Sequence, residues 1–172
     1  MVSIEKCPVP VNTLLQNYST NGAYADCYSA RIPGRVSLPE FIFAFYTTPL
    51  FKLERLILRW MVAKPSTDTQ AKALADGHMN SFAAWRVENR SANELLLCDD
   101  SGRTRSWLMT VPDGTLGIPQ TRLLFGSAVV PTQNAKTGAM SLGWVFQALL
   151  GFHRIYSILL LHSAILRINR QQ

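Results

Sequence analysis

Apolar and polar residues alternate loosely from Tyr24 to Ile32, which sends successive side chains to opposite faces and predicts a strand that Pro33-Gly34 ends. Helical spacing follows. Ser37-Leu38-Pro39-Glu40 reads as a helix start, with Ser37 as N-cap, Pro39 in the first turn where no donor is missed, and Glu40 placed for a capping box. Phe41, Ile42, Phe45 and Tyr46 then share one face. Thr47-Thr48 stops this helix and Pro49 starts a second one capped by Thr48. Leu50, Leu53, Ile57, Leu58 and Met61 form its buried stripe, and Lys52, Arg55 and Arg59 its solvated side.

Residues 64–81 are polar and read as an insertion, with a short helix over Asp68–Ala75 that Gly77 caps. Four further strands are expected, at Phe82–Asn89, Glu94–Asp99, Arg103–Val111 and Thr121–Val130. Ser91-Ala92-Asn93 and Asp100-Ser101-Gly102 supply hairpin turns, so the strands should run as an antiparallel meander. Asn134–Gly138 closes the sheet, and one long apolar helix ends the chain, about 39 Å long at 1.5 Å per residue. Residues 1–23 make an irregular lead-in with one helical turn over Val11–Asn17, and residues 24–172 a single domain. Strands before and after helices, without strand–helix–strand alternation, give an α+β class. The expected architecture is a curved antiparallel sheet wrapped round the C-terminal helix, which would explain why that helix is apolar almost all round.

Composition narrows the partners. The chain has 172 residues, 48% hydrophobic and only 16% charged, which excludes wholesale disorder. Its net charge of +6 comes largely from twelve arginines scattered from Arg31 to Arg170 rather than gathered in a run, so no nucleic-acid partner is expected. Met140–Ile168 has the length of a membrane span, but Gln147, His153, Arg154, His162 and Arg167 interrupt it. A central arginine costs about 2.5–3.5 kcal/mol there, so a buried or interfacial helix is preferred. Met1–Lys6 lacks the charged head and apolar run of a secretory signal, so the expected compartment is the cytoplasm. Cys7, Cys27 and Cys98 show no metal-type spacing and read as thiols, with Cys98 packed in a strand. Neither a metal nor a cofactor is expected.

Chemistry is sparse. His153 and Arg154, in an otherwise oily helix, could bind a carboxylate or act as acid–base groups, with Tyr156 and Ser157 one turn on. The alternative is that His153 hydrogen-bonds a loop and Arg154 extends its head to solvent. His162 lies 2.5 turns from His153, so the two form no metal pair. Asp99-Asp100 could form an acid–base pair, but Asp-Asp-Ser-Gly is ordinary turn chemistry, which is favoured. Arg103, Arg105 and Trp107 share one strand face. If that face is concave, Arg105 binds an acidic head group and Trp107 lines an apolar wall; if convex, they form a solvated edge. Trp85, Trp107, Phe125, Phe41, Phe45, Tyr46, Trp60 and Trp144 either line a ligand cavity or fill a core. Gly-x-Ser-x-Gly, phosphate-loop, His-Glu-x-x-His and Cys-x-x-Cys signatures are all missing, so no catalytic residue is assigned beyond the candidate His153.

The element order resembles the helix-grip fold of the START-like, or SRPBCC, superfamily. Within it the chain is most similar to a small bacterial family still labelled a domain of unknown function, which also occurs fused to nucleotide-sugar-epimerase-like domains. The matching pieces are Asp26-Cys27-Tyr28-Ser29-Ala30-Arg31-Ile32-Pro33-Gly34, Asp99-Asp100 ahead of a strand, Thr121-Arg122-Leu123, and Asn134, Gly138 and Phe152-His153-Arg154. Two features depart from the pattern: only five strands are readable where seven are usual, and the 64–81 insertion would sit near the cavity mouth. The glycine signature of a fused dinucleotide-binding domain is also missing.

The resemblance implies a cavity between sheet and C-terminal helix for a small hydrophobic molecule or lipid. Arg105, Trp107, Trp85, Tyr46, Arg154 and Tyr156 are its ligand-binding candidates. One alternative is a cofactor-free cyclase, dehydratase or hydrolase with His153 as acid–base group and Tyr46 or Tyr156 as donor. Another is a peripheral membrane protein or homodimer that hides the oily C-terminal helix.

Overall fold

The computed structural model describes residues 2–20, 23–52, 66–114, 118–133, 140–141 and 144–170. Its order is β1 (Ile4–Lys6), α1 (Gln16–Thr20), β2 (Tyr24–Pro33), α2 (Leu38–Tyr46), α3 (Asp68–Ala75), β3 (Ser81–Phe82), β4 (Trp85–Arg90), β5 (Glu94–Asp99), β6 (Thr104–Pro112), β7 (Gln120–Val129), β8 (Thr132–Gln133), β9 (Met140–Ser141) and α4 (Trp144–Asn169). The class is α+β, as the element order implies. Seven strands form one antiparallel sheet in the order β1-β2-β7-β6-β5-β4-β3, and β8 and β9 pair separately. Strand β2 lies against β7 from Tyr24 opposite Val129 to Pro33 opposite Gln120, so the first and last long strands of the chain are central neighbours.

Alternation divides the sheet into two buried faces. Tyr28, Ala30 and Ile32 of β2, with Leu95, Leu97, Leu108, Leu123 and Phe125, pack against α2, α3 and Leu160, Leu161, Ala164, Ile165 and Ile168 of α4. This is the inner face. On the outer face Cys27, Leu96, Trp107, Leu124 and Ala128 pack under Leu15, with Val9, Leu14 and Tyr18 beside it. Within the lead-in, β1 adds a strand to the sheet edge, and the segment after it, through Tyr18, seals the outer face.

Local signals in the sequence act where they were expected to. Ser37 accepts from the Glu40 amide while the Glu40 carboxylate accepts from the Ser37 amide, closing the capping box of α2. The Phe51 amide donates to Thr48 Oγ1, and residues 49–52 are helical, so the second helix starts at Pro49. Leu53, Arg55, Ile57, Leu58, Arg59, Trp60, Met61 and Asn134–Gly138 lie outside the described residues. Helix α3 ends as expected at Gly77, whose φ of 81° lets its amide reach the Leu74 carbonyl and the His78 amide the Ala73 carbonyl. Asp99 Oδ1 accepts from the Arg103 and Thr104 amides at 2.8 and 2.9 Å, which makes this carboxylate a turn former.

Two expectations are corrected. The five readable strands become seven in the main sheet, because Phe82–Asn89 is a hairpin of β3 and β4 whose turn places Ala83 at φ 52° and because the three-residue β1 is too short to show a period, and β8 and β9 add a separate pair. Helix α4 packs against α2, β1, β2 and β7, yet Ile155, Ile158, Leu159 and Leu166 are exposed, so it is not buried all round. Among the described residues, no helix is long and apolar enough to cross a membrane.

Candidate functional site

Tyr24, Asp26 and Tyr28 occupy alternate positions of β2 and therefore share the inner face. Asp26 stands directly opposite Ser127 of β7. Its carboxylate is only 3% exposed, an unusual burial for an acid, which needs compensating donors. Ser127 donates to Asp26 Oδ1 at 2.7 Å. A hydroxyl has one proton, so the 2.8 Å contact between Ser127 Oγ and His153 Nε2 is a bond that the imidazole donates. The result is a directed chain: His153 Nε2–H to Ser127 Oγ–H to Asp26 Oδ1. Asp26 Oδ2 accepts from the Tyr24 hydroxyl at 3.3 Å and lies 3.5 Å from His153 Nε2. The Tyr24 and His153 rings meet edge to face at 6.4 Å.

The electrostatics follow from this arrangement. Burial works to raise the Asp26 pKa, but bonds from His153, Ser127 and Tyr24 prevail and hold it below the ordinary carboxylate value. The carboxylate is therefore ionised at neutral pH. Burial, with the Asp26 charge, raises Tyr24, and the Arg154 guanidinium beside it opposes the rise. Tyr28 is pushed up to about 12 by burial and by the Asp26 charge. Its hydroxyl is buried and makes no hydrogen bond of good geometry among the described residues, only a weak approach to the Asp26 carboxylate. Leaving such a group unpaired costs about 1–3 kcal/mol.

The cluster is not a nucleophile triad. A triad uses the two ring nitrogens for different partners, whereas Ser127 and Asp26 both approach Nε2, and the serine proton is already committed to the carboxylate. Ser157 does not extend the cluster, because its hydroxyl donates at 2.9 Å to the His153 carbonyl within the helix. Among the described residues, no group of three His, Cys, Asp or Glu side chains is arranged to hold a metal.

The sequence-derived candidates separate into two groups. Arg154 is exposed beside the cluster, Tyr156 packs at the margin of the inner core, and Trp85 is partly buried at its far side. Tyr46 is fully buried among Phe45, Phe51 and Phe82, with its hydroxyl 3.2 Å from Ser106 Oγ, so these aromatics fill a core. Arg105 and Trp107 lie on the outer face, with the sheet between them and α4. Arg105 donates to Glu88 at 3.0 Å and stacks 4.7 Å over the Tyr18 ring. Trp107 donates to Glu94 at 2.8 Å under Leu15. Neither shares a site with His153, and neither is a solvated edge, because the N-terminal segment covers them.

Sequence reasoning passed over Asp26, Ser127, Tyr24 and Tyr28 as site residues. The available signal was an aspartate inside a strand, where this residue type is depleted, flanked two residues either way by tyrosines. A groove of about 270 Å³ lined by Pro49, Ser163, Leu166, Arg167 and Arg170 lies farther along α4, about 15 Å of helix from His153. No protein-family model, curated protein or solved structure matches the chain.

Proposed function

We propose that the chain is a START-like, helix-grip module that holds a small amphipathic ligand between the inner sheet face and α4. The ligand's polar end would sit at Tyr28 beside the Asp26–Ser127–His153 chain. The observation that carries this is the Tyr28 hydroxyl, buried without a hydrogen bond of good geometry among the described residues in a mostly apolar interface. Ligand sites combine apolar walls with a few polar groups whose bonds the ligand completes. Tyr28 keeps its proton at neutral pH and so offers a donor, which suits a carbonyl, ether or hydroxyl oxygen. A neutral oxygen is preferred over an anion, because the Asp26 charge would repel the latter. Two further observations support the fold assignment: the sheet has the seven strands usual in that fold, and Asp26 and His153, from two of the segments that carry the resemblance, meet here.

The test combines native mass spectrometry of the purified protein, after exposure to lipid and metabolite extracts, with the variant Tyr28→Phe. The wild type should retain a small molecule that Tyr28→Phe holds about tenfold less tightly, about 1.4 kcal/mol. The variant's unfolding midpoint should fall little, since the hydroxyl makes no hydrogen bond of good geometry among the described residues. A wild type that retains nothing, or a variant that binds equally well, would refute the proposal.

The directed chain from His153 to Asp26 supports a second possibility, cofactor-free acid–base catalysis. The imidazole, linked through Nε2 to Ser127 and the Asp26 carboxylate, is the acid–base group of this reading. Turnover of the retained molecule by wild type, abolished in His153→Gln with binding preserved, would distinguish an enzyme from a carrier.

A further inference from the structure

Extending the β1–β2 register by one residue beyond Lys6 opposite Tyr28 places Cys7 opposite Cys27. The Cys7 amide donates to the Cys27 carbonyl at 2.9 Å, and the two sulfurs lie 3.4 Å apart. A hydrogen-bonded antiparallel pair holds its Cα atoms about 5.5 Å apart, within the span a disulfide bridges. Small side-chain rotations would bring the sulfurs to bonding distance. We propose that Cys7 and Cys27 are a peroxide-oxidisable dithiol that closes to an intramolecular disulfide on the outer face of the sheet.

The two thiols are unequal in the way such chemistry requires. Cys7 is partly exposed and Cys27 fully buried, so an oxidant reaches the first and not the second. Ser29, the next outer-face residue of β2, and Arg122 of β7 complete the surroundings, with the guanidinium 3.3 Å from Ser29 Oγ. The Arg122 charge acts on the Cys7 sulfur and favours its thiolate. The hydrogen bond with Cys27 lowers the Cys7 pKa to about 6, with burial opposing and Ser29 and Arg122 assisting. The same pairing and burial raise Cys27, which keeps its proton. Cys98 is a built-in control. It is buried in β5, its pKa is raised by burial, and its thiol lies 3.3 Å from the Asp99 carbonyl.

The reaction balances with a hydroperoxide as oxidant. The Cys7 thiolate attacks the terminal oxygen; the S–O bond forms as the O–O bond breaks, and the departing alkoxide or hydroxide takes a proton from water. The Cys27 sulfur then displaces the sulfenic oxygen from Cys7, and water leaves with the Cys27 proton. In sum, two thiols and one hydroperoxide give a disulfide, an alcohol (or, from hydrogen peroxide, water) and one water. The bond would fasten the edge strand β1 and the sealing segment behind it to β2, on the back of the strand that carries Asp26 and Tyr28.

Reduced full-length protein would be titrated with hydrogen peroxide and digested without reduction. The expected product is a peptide joining Cys7 to Cys27, reversed by dithiothreitol, with Cys98 still a thiol. In Cys27→Ala, Cys7 should stop at a sulfenic acid that dimedone traps. Because that core variant could fail to fold, alkylation of wild-type Cys7 by iodoacetamide is a second measurement. Its rate should be half-maximal near pH 6 rather than near the ~8.5 of a free thiol, and at least tenfold above that of Cys98 at pH 7. Three results would overturn the proposal: peroxide driving Cys7 to a sulfinic acid with Cys27 still a thiol, Cys98 reacting first, or Cys7 alkylating with an ordinary thiol's pH profile.

Discussion

Ser127 and Asp26 face each other across the central strand pair, and the serine hydroxyl donates to the carboxylate at 2.7 Å. That bond makes Asp26 affordable inside the sheet and fixes the direction of the bond from His153. Its pH consequence is definite. The Asp26 pKa in the folded protein lies below the ordinary 3.8, so the unfolded chain binds the proton more readily. The resulting stability is complete above the unfolded value and is lost as pH falls through the folded one. Asp26→Asn should therefore destabilise the protein by about 2 kcal/mol at pH 7, and the gap from wild type should narrow toward pH 2.5. Urea unfolding curves at several pH values check this. A gap that stays constant would mean the carboxylate contributes no differential proton affinity.

Gly126 supplies a second prediction from the outer face. A Cβ at this position would stand 2.5 Å from Leu15 Cδ2, 2.9 Å from the Asp26 carbonyl oxygen and 3.0 Å from Trp107 Cε3. Leu15 can move, but the backbone oxygen of β2 yields only if the strand pair shifts. Gly126→Ala should cost about 1–3 kcal/mol. Truncating Leu15 to alanine in the same chain should recover only part of that cost, because the Asp26 contact remains. Full recovery in a double-mutant cycle would place the whole clash on the side chain.

Helix ends and long strands were legible because each depends on residues adjacent in sequence. Ser37 with Glu40, and Leu74 with Gly77, declare themselves within a few positions. The hairpin at Ala83 was hidden because its left-handed residue is an alanine, with no glycine or asparagine to mark it. Strand β1 was hidden because a three-residue edge has too few positions to show a period. The candidate site was half visible. His153 and Arg154 stand out as polar residues in an apolar helix, but the His153 partners Asp26 and Ser127 are 101 residues apart and meet only through β2–β7 pairing. The faces of Arg105 and Trp107 depended on what covers each side of the sheet, and the cover is an N-terminal segment without periodicity.

The Gly77 turn yields a third test. Its φ of 81° is a conformation that a side chain resists, although a Cβ there would meet only Arg90 Nη1, at 3.4 Å. Gly77→Ala should thus cost about 1 kcal/mol through the backbone alone. Gly77→Asn should cost less, since asparagine tolerates this region better. Equal losses in the two variants, measured by thermal unfolding, would point to the Arg90 contact instead.

Glu94 Oε2 accepts both the Trp107 indole N–H and the Leu14 amide, each at 2.8 Å, and so pins the N-terminal segment to the outer face. Glu94→Ala would leave two donors without a partner in a dry site. The expected loss is about 2–6 kcal/mol, at about 1–3 kcal/mol per orphaned group. Glu94→Gln keeps a carbonyl oxygen for both donors and should cost about 1 kcal/mol, the charge assistance alone. The alanine variant should also speed amide exchange across residues 7–20 and shift Trp107 fluorescence to the red as water reaches the indole, with β2 and β7 remaining protected. Adding Trp107→Phe to Glu94→Ala removes one orphaned donor and should restore part of the stability. If Glu94→Ala leaves exchange in residues 7–20 unchanged, the segment is held by Leu15 and Tyr18 packing, and the carboxylate is not its anchor.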